Sequence, residues 1–173
     1  KRPSLTISVA CCVPKPFPPF QWEKQDTFDA LMRKQELLKS KITDRKIVYN
    51  YHDASVSYLE AIFARGDRRL AKALLLANER GFKFDAWTEC FSLERWQEVF
   101  RDAGVDADFY ATRGFGVDEV LPWDMIDCGV TKSFLRRERE RAYAGTTTPN
   151  CREKCSGCGA ASLCKTKERC VCF

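Results

Sequence analysis

A helix enclosed by two strands is the sequence feature that most restricts how this chain can fold. Alternating apolar residues predict one strand over residues 4–12 and a second over 45–51. Between them, apolar side chains recur at helical spacing up to about Lys41, after Asp26 or Thr27 as the N-cap. Strands joined by a helical crossover are most often parallel. The sequence therefore predicts an α/β fold.

Outside this unit the chain is predicted to be predominantly helical. Four of the seven prolines lie in residues 13–20, which must be extended because proline fixes φ and lacks an N–H donor. Polar N-caps and glycine stops then mark successive helices, which we place at 54–64, 68–80, 93–103 and 132–144.

The composition indicates a globular protein. Of the 173 residues, 45% are hydrophobic and 31% are charged, and the net charge is +5. This modest basic excess is compatible with a nucleic acid or phosphate ligand. No apolar run is long enough to span a bilayer or to act as a signal peptide, so we expect a cytoplasmic protein without membrane contact. Because the chain opens at Lys1 with a strand-like pattern that needs neighbouring strands, we expect it to be a piece of a longer protein.

Six of the ten cysteines lie in the last 23 residues, with the spacing C-x3-C-x2-C-x5-C-x5-C-x-C. A Cys-x2-Cys turn lets two thiolates reach one metal ion, which favours metal or cluster binding over disulfides or free thiols in a reducing compartment. Spacing alone does not separate zinc from an iron–sulfur cluster. We predict four ligands and exclude the two cysteines nearest the chain end; the four are Cys151, Cys155, Cys158 and Cys164.

Three arginines surround a predicted helix start at Asp67. Arg65, Arg68 and Arg69 form a group suited to phosphate or carboxylate, because guanidinium forks match both and the helix N-terminus adds its dipole. In the alternative interpretation, Asp67 caps the helix and the arginines pair with acidic neighbours or face water. We retain all four residues as candidate substrate contacts.

Four segments of the sequence resemble parts of known proteins. They are SVACCVPKPFPPFQWEKQD (8–26), YHDASVSYLEAIFARGDRRLAKALLLANERGFKFDAWTE (51–89), LPWDMIDCGVTKSFLRRE (121–138) and TTTPNCREKCSGCG (146–159). The four segments resemble the C-terminal part of a family of radical S-adenosylmethionine proteins that carry an N-terminal cobalamin-binding-type domain. Together they cover most of the chain, and ARGDRRL followed by FDAW is a specific combination.

The resemblance implies three parts. Residues 1–52 would form the end of a partial (β/α) radical-SAM barrel, residues 53–145 a helical extension, and residues 146–173 the Cys-rich metal-binding tail. Lys15 and Gln21 lie on the exit from a barrel strand, where they would either face a substrate or belong to a rigid surface strap. The substrate would be RNA or a small molecule, and the partner would be the rest of the parent protein.

In radical-SAM enzymes the C-x3-C-x2-C motif holds the catalytic 4Fe-4S cluster near the start of the barrel. Here the same spacing begins at Cys151, at the other end of the chain, so the resemblance implies an auxiliary or structural metal site. S-adenosylmethionine would bind upstream in the parent, whose cobalamin-binding-type domain offers a place for cobalamin, and the chain alone would be inactive. The alternative function is a free-standing RNA-binding module with a zinc knuckle.

Overall fold

The computed structural model describes residues 4–151 and 153–160, so the predicted ligand Cys164 lies outside the described residues. The fold is α/β and mainly helical. In chain order, the elements of the described residues are β1 (Leu5–Val9), α1 (Phe28–Lys41), β2 (Ile47–Tyr51), α2 (Ala54–Arg65), a 3-10 turn (Arg68–Leu70), α3 (Ala71–Glu79), α4 (Leu93–Ala103), α5 (Ala107–Ala111) and α6 (Lys132–Tyr143).

The two strands pair in parallel, as the strand–helix–strand order predicts. Their register aligns Leu5 with Ile47 and continues to Val9 opposite Tyr51. Helix α1 connects them and is capped by Thr27, whose side chain accepts a hydrogen bond from the backbone N–H of Ala30 in the first turn. The first strand ends at Val9, three residues before its predicted end.

Capping residues fix the helix boundaries in the first half of the chain. Asp53 accepts hydrogen bonds at the start of α2, and Ser92 does the same for α4. Helix α4 stops at Gly104, whose φ of 69° is left-handed, so both predicted ends of this helix are confirmed. No helix among the described residues is both long and apolar enough to cross a membrane.

Two details differ from the predicted elements. The helix expected over 68–80 starts as a 3-10 turn behind Asp67 and becomes α-helical at Ala71. Helix α5 was not predicted, because its five residues are too few to show a hydrophobic period. Asp106 caps it by accepting a hydrogen bond from the backbone N–H of Phe109.

The chain divides into two compact units. The first comprises the chain up to Pro14 together with Lys24–Gly114, and its core is built from α2 to α5. The second comprises Lys15–Glu23 and the chain from Phe115 onward. Its core contains five buried side chains, which are Trp22, Phe115, Leu121, Trp123 and Leu135. The predicted domain boundaries stay predictions.

Candidate functional sites

The second unit contains a cavity of about 560 Å³ between the proline-rich segment, the loop before α6 and the first turns of that helix. Aromatic side chains of Phe17 and Trp123 contribute to its wall together with apolar residues of α6 and the loop. The polar residues Gln21, Asp124 and Lys132 also line it. The cavity has the size and the mixed lining typical of a small-molecule site.

Gln21, a predicted substrate contact, is held rigidly in this cavity wall. Its side chain is buried, and its Oε1 accepts hydrogen bonds from the Trp123 indole N–H at 2.7 Å and from the backbone N–H of Phe17 at 3.1 Å. Phe17 has a φ of 77°, a left-handed conformation that non-glycine residues rarely adopt. Lys15, the other predicted contact on this segment, is exposed and does not line the cavity.

Lys132 and Asp124 form an ion pair at the cavity. The Lys132 ammonium donates to Asp124 Oδ2 at 2.6 Å and to the backbone carbonyl of Glu119 at 2.9 Å. Burial alone raises the pKa of the Asp124 carboxyl, but hydrogen bonds from Lys132 and the backbone N–H of Leu121 outweigh it and lower the pKa below its usual value. The Asp124 carboxyl is therefore ionised at neutral pH.

Arg65 is a buried structural residue of the first unit. Its guanidinium is 0% exposed and donates to the backbone carbonyls of Ala111 at 2.8 Å and Arg113 at 2.7 Å. These contacts connect the end of α2 to the end of α5. The three arginines of the predicted cluster therefore do not share one face.

Asp67 and Arg69 pair with each other beside an aromatic ring. Asp67 caps the 3-10 turn, and both its carboxylate oxygens accept hydrogen bonds from the Arg69 guanidinium at 2.6–3.0 Å. Tyr110 donates to the same carboxylate at 3.2 Å. The hydrogen bond from Arg69 is the main reason that the pKa of Asp67 falls from 3.8 to about 2. The predicted cap is confirmed, and Arg68 is exposed.

The Cys-x2-Cys segment, Cys155 to Cys158, which we call the cysteine turn, is an irregular stretch of backbone joined to the start of α6. Gly157 and Gly159 have left-handed φ values of 68° and 100°. A Cβ at Gly159 would lie 2.7 Å from the Thr131 side chain, so only glycine fits there. The backbone N–H of Thr131 donates to the carbonyl of Cys158 at 2.8 Å, and the N–H of Ala160 donates to the Cys158 sulfur at 3.4 Å.

This turn has two features expected of a metal-binding thiolate pair, which are left-handed glycines and an N–H donor to sulfur. Cys155 is exposed and Cys158 is half-buried. Cys151 is also exposed. Among the described residues, the His, Cys, Asp and Glu side chains do not form a group of three arranged to hold a metal ion. Of the four predicted ligands, Cys155 and Cys158 share this segment, Cys151 lies four residues before it, and Cys164 lies outside the described residues.

A basic cleft of about 390 Å³ lies beside this turn. It is lined by the charged side chains Arg137, Arg141 and Lys154, together with Thr148 and Cys155. Arg137 donates to the backbone carbonyl of Ser156 at 2.8 Å, which connects α6 to the cysteine turn. The cleft is not purely cationic, because Glu138 accepts a hydrogen bond from Arg141 at 3.0 Å.

The sequence analysis missed Trp123, Asp124 and Lys132 as cavity residues. Trp123 and Gln21 are 102 positions apart in the chain, so no local pattern could have paired them. The available signal was that all three lie in the segment 121–138, which carries part of the family resemblance. Comparison with protein-family models, curated proteins and solved structures finds no match.

Proposed function

We propose that this chain is the C-terminal part of a radical S-adenosylmethionine enzyme that contains iron–sulfur clusters. In this proposal, β1–α1–β2 contributes to the barrel wall, the segment from Lys15 to Gln21 is a substrate-side loop, and the cysteine tail holds an auxiliary metal site. S-adenosylmethionine binds to the rest of the parent protein in the cytoplasm, where the cobalamin-binding-type domain offers a place for cobalamin. We assign no catalytic residue to the chain.

The observation that carries the proposal is the exposed parallel strand pair. Leu5 is 55% exposed, Val48 is 52% exposed and Tyr51 is 48% exposed. Parallel sheets normally have both faces covered, and a two-stranded sheet is marginal in water because it buries so little apolar surface. Further strands and helices beside this pair would cover these side chains. A β/α barrel supplies such neighbours on both sides.

The cysteine turn supports the metal part of the proposal. Two sulfur atoms on a turn with left-handed glycines can approach one ion, and the Ala160 N–H donates to one of them. Hydrogen bonds to sulfur are among the contacts by which proteins tune iron–sulfur clusters. The chemistry of these residues therefore fits a thiolate-bound cluster or ion, with Cys155 and Cys158 as two of its ligands and Cys151 and Cys164 as the predicted others.

The test is metal analysis with visible absorption on the chain purified without oxygen. We expect iron with a broad visible absorption band in the wild-type chain, and loss of both in Cys155→Ala and Cys158→Ala. Cys12→Ala is the matched control, because Cys12 is an exposed cysteine outside the tail. Equal iron content in all four proteins would contradict the assigned ligands, and a colourless wild-type chain without iron would contradict the cluster.

A second candidate function is an RNA-binding module with a zinc knuckle, and the basic cleft is the observation that favours it. The cleft places three cationic side chains beside Cys155, which are Arg137, Arg141 and Lys154. A metal ion that ordered the cysteine turn would hold these cations where the phosphate backbone of one RNA strand could contact all three. We expect salt-dependent binding of single-stranded RNA, weakened by Arg137→Gln but not by Arg33→Gln on the exposed face of α1. Zinc without iron, together with this RNA affinity, would favour the module over the enzyme.

A further inference from the structure

We propose that the cavity of the second unit binds an uncharged small molecule whose apolar ring carries a carbonyl acceptor. The proposed function places the segment from Lys15 to Gln21 on the substrate side, and calling the bound molecule a substrate rests on that function. The ligand chemistry itself is argued from the cavity residues, so the two ideas can fail separately. Its volume of about 560 Å³ lies within the range of roughly 300–1,000 Å³ found for small-molecule sites.

The walls favour an apolar ring. Phe17 and Trp123 supply aromatic surface, and Val130 and Leu135 supply aliphatic surface. Trp123 and Leu135 belong to the core of this unit, so their positions are fixed by packing. A flat ring gains the most contact against rigid aromatic and branched side chains.

The buried amide of Gln21 selects an acceptor on that ring. Trp123 Nε1 is a donor only, so the hydrogen bond between the two side chains identifies the Gln21 oxygen. This oxygen also accepts from the backbone N–H of Phe17, which leaves the amide nitrogen, Nε2, as the group able to bind a ligand. Among the described residues, the hydrogen bonds seen for the Gln21 side chain are both made by its oxygen. A carbonyl oxygen in the cavity would satisfy this donor.

The charges of the lining disfavour an anion, and the free donor of Gln21 favours an acceptor over a cation. Lys132 contributes one positive charge, and Asp124 and Asp127 contribute two negative charges. Lys132 is already paired with Asp124 at 2.6 Å. An anion would meet an excess of carboxylate, and a cation would place a further donor opposite Gln21 Nε2. A neutral acceptor avoids both penalties.

The backbone supports a binding role for this segment. Phe17 keeps a left-handed φ of 77° although it is not glycine, and its N–H is held by Gln21 Oε1. Conformations of this kind persist where the surrounding structure enforces them, and they cluster at ligand sites. The same amide oxygen therefore fixes the loop and orients the donor.

The experiment titrates the ¹⁵N-labelled chain with benzamide and with its near-isostere benzamidine, and follows side-chain resonances by NMR. Benzamide carries a carbonyl acceptor, whereas benzamidine is a cation with donors only. We expect benzamide to shift the Gln21 amide and Trp123 indole resonances, leave the Trp96 indole of the first unit unchanged, and bind about tenfold more tightly than benzamidine. Equal binding, tighter binding of benzamidine, or no shift at Gln21 would overturn the proposal.

A variant provides a second test. Gln21→Glu keeps an acceptor for Trp123 and Phe17 but loses the amide donor, so we expect benzamide affinity to fall about tenfold. Gln97→Glu on the exposed face of α4 is the matched control and should bind as the wild type does. If folded Gln21→Glu bound benzamide as tightly as the wild type, the role of the amide would be overturned. If this variant does not fold, the comparison of benzamide with benzamidine on the wild-type chain tests the proposal. Metal content plays no part in these titrations, so a chain without iron that still discriminates the two probes would contradict only the proposed function.

Discussion

Replacing Arg65 by methionine should destabilise the first unit strongly. The wild-type guanidinium is completely buried and donates to the carbonyls of Ala111 and Arg113 at 2.8 and 2.7 Å. Arg65→Met removes both donors. The Ala111 carbonyl still accepts from the backbone N–H of Gln25 at 3.1 Å, so the Arg113 carbonyl bears most of the loss, and a buried unsatisfied group costs about 1–3 kcal/mol. Methionine is easier to bury than a charged group, which offsets the smaller loss at Ala111. We therefore expect the free energy of unfolding to fall by about 1–3 kcal/mol.

Urea unfolding followed by circular dichroism measures this change. With a slope of about 2 kcal/mol per M, in the middle of the typical range, the midpoint of the variant should fall by about 0.5–1.5 M. Arg65→Lys should also destabilise the unit, because one ammonium cannot reproduce the fork that reaches both carbonyls. Arg68→Met is the control, since Arg68 is exposed in the same segment. A midpoint for Arg65→Met within error of the control would refute this reasoning.

Three further changes should affect the same unit. Asp67→Asn removes a carboxylate whose pKa is lowered to about 2 by Arg69, so the charged group stabilises the folded chain. The variant should therefore lose the most unfolding free energy above about pH 4, and the difference from the wild type should shrink as the pH falls towards 2. Gly66→Ala places a Cβ 2.0 Å from the side chain of buried Leu70 and 2.8 Å from a backbone oxygen, and overpacking of this kind costs about 1–3 kcal/mol. Ser92→Ala removes the N-cap of α4 and should cost about 1 kcal/mol.

Each of these has a clear contrary outcome in the same urea assay. A cost of Asp67→Asn that does not change between pH 5 and pH 2 would show that the charged carboxylate contributes nothing. A Gly66→Ala protein as stable as the wild type would mean that Leu70 repacks freely. We expect the Ser92→Ala protein to be less stable than the Ser92→Gly protein, because glycine is the better N-cap. If Ser92→Gly were the less stable variant, the assignment of Ser92 as a cap would be contradicted.

Local chemistry explains why most of the fold could be predicted. One short polar residue predicts the start of each of the helices α1, α2 and α4, because its side chain accepts a backbone hydrogen bond. These residues are Thr27, Asp53 and Ser92. Gly104 marks the end of α4 for an equally local reason. The parallel pairing followed from the helix between the strands.

The candidate site was harder to predict, because it depends on contacts between distant residues. Arg65 looks like the polar end of a helix in the sequence, and its burial arises from carbonyls about 46–48 positions away. Gln21 and Trp123 are even farther apart in the sequence, by 102 positions. Local patterns identify donors and acceptors, but they do not show which ones meet in the folded chain. The ion pair of Asp67 with Arg69, by contrast, joins residues only two positions apart.

The most direct test of the proposed function is the amount of iron and acid-labile sulfide in the wild-type chain purified without oxygen. A thiolate-bound cluster contains inorganic sulfide as well as iron, whereas a structural zinc site contains neither. We predict iron and sulfide in nearly equal amounts. Stoichiometric zinc without sulfide, or no bound metal, would contradict the assignment of this chain to an iron–sulfur enzyme.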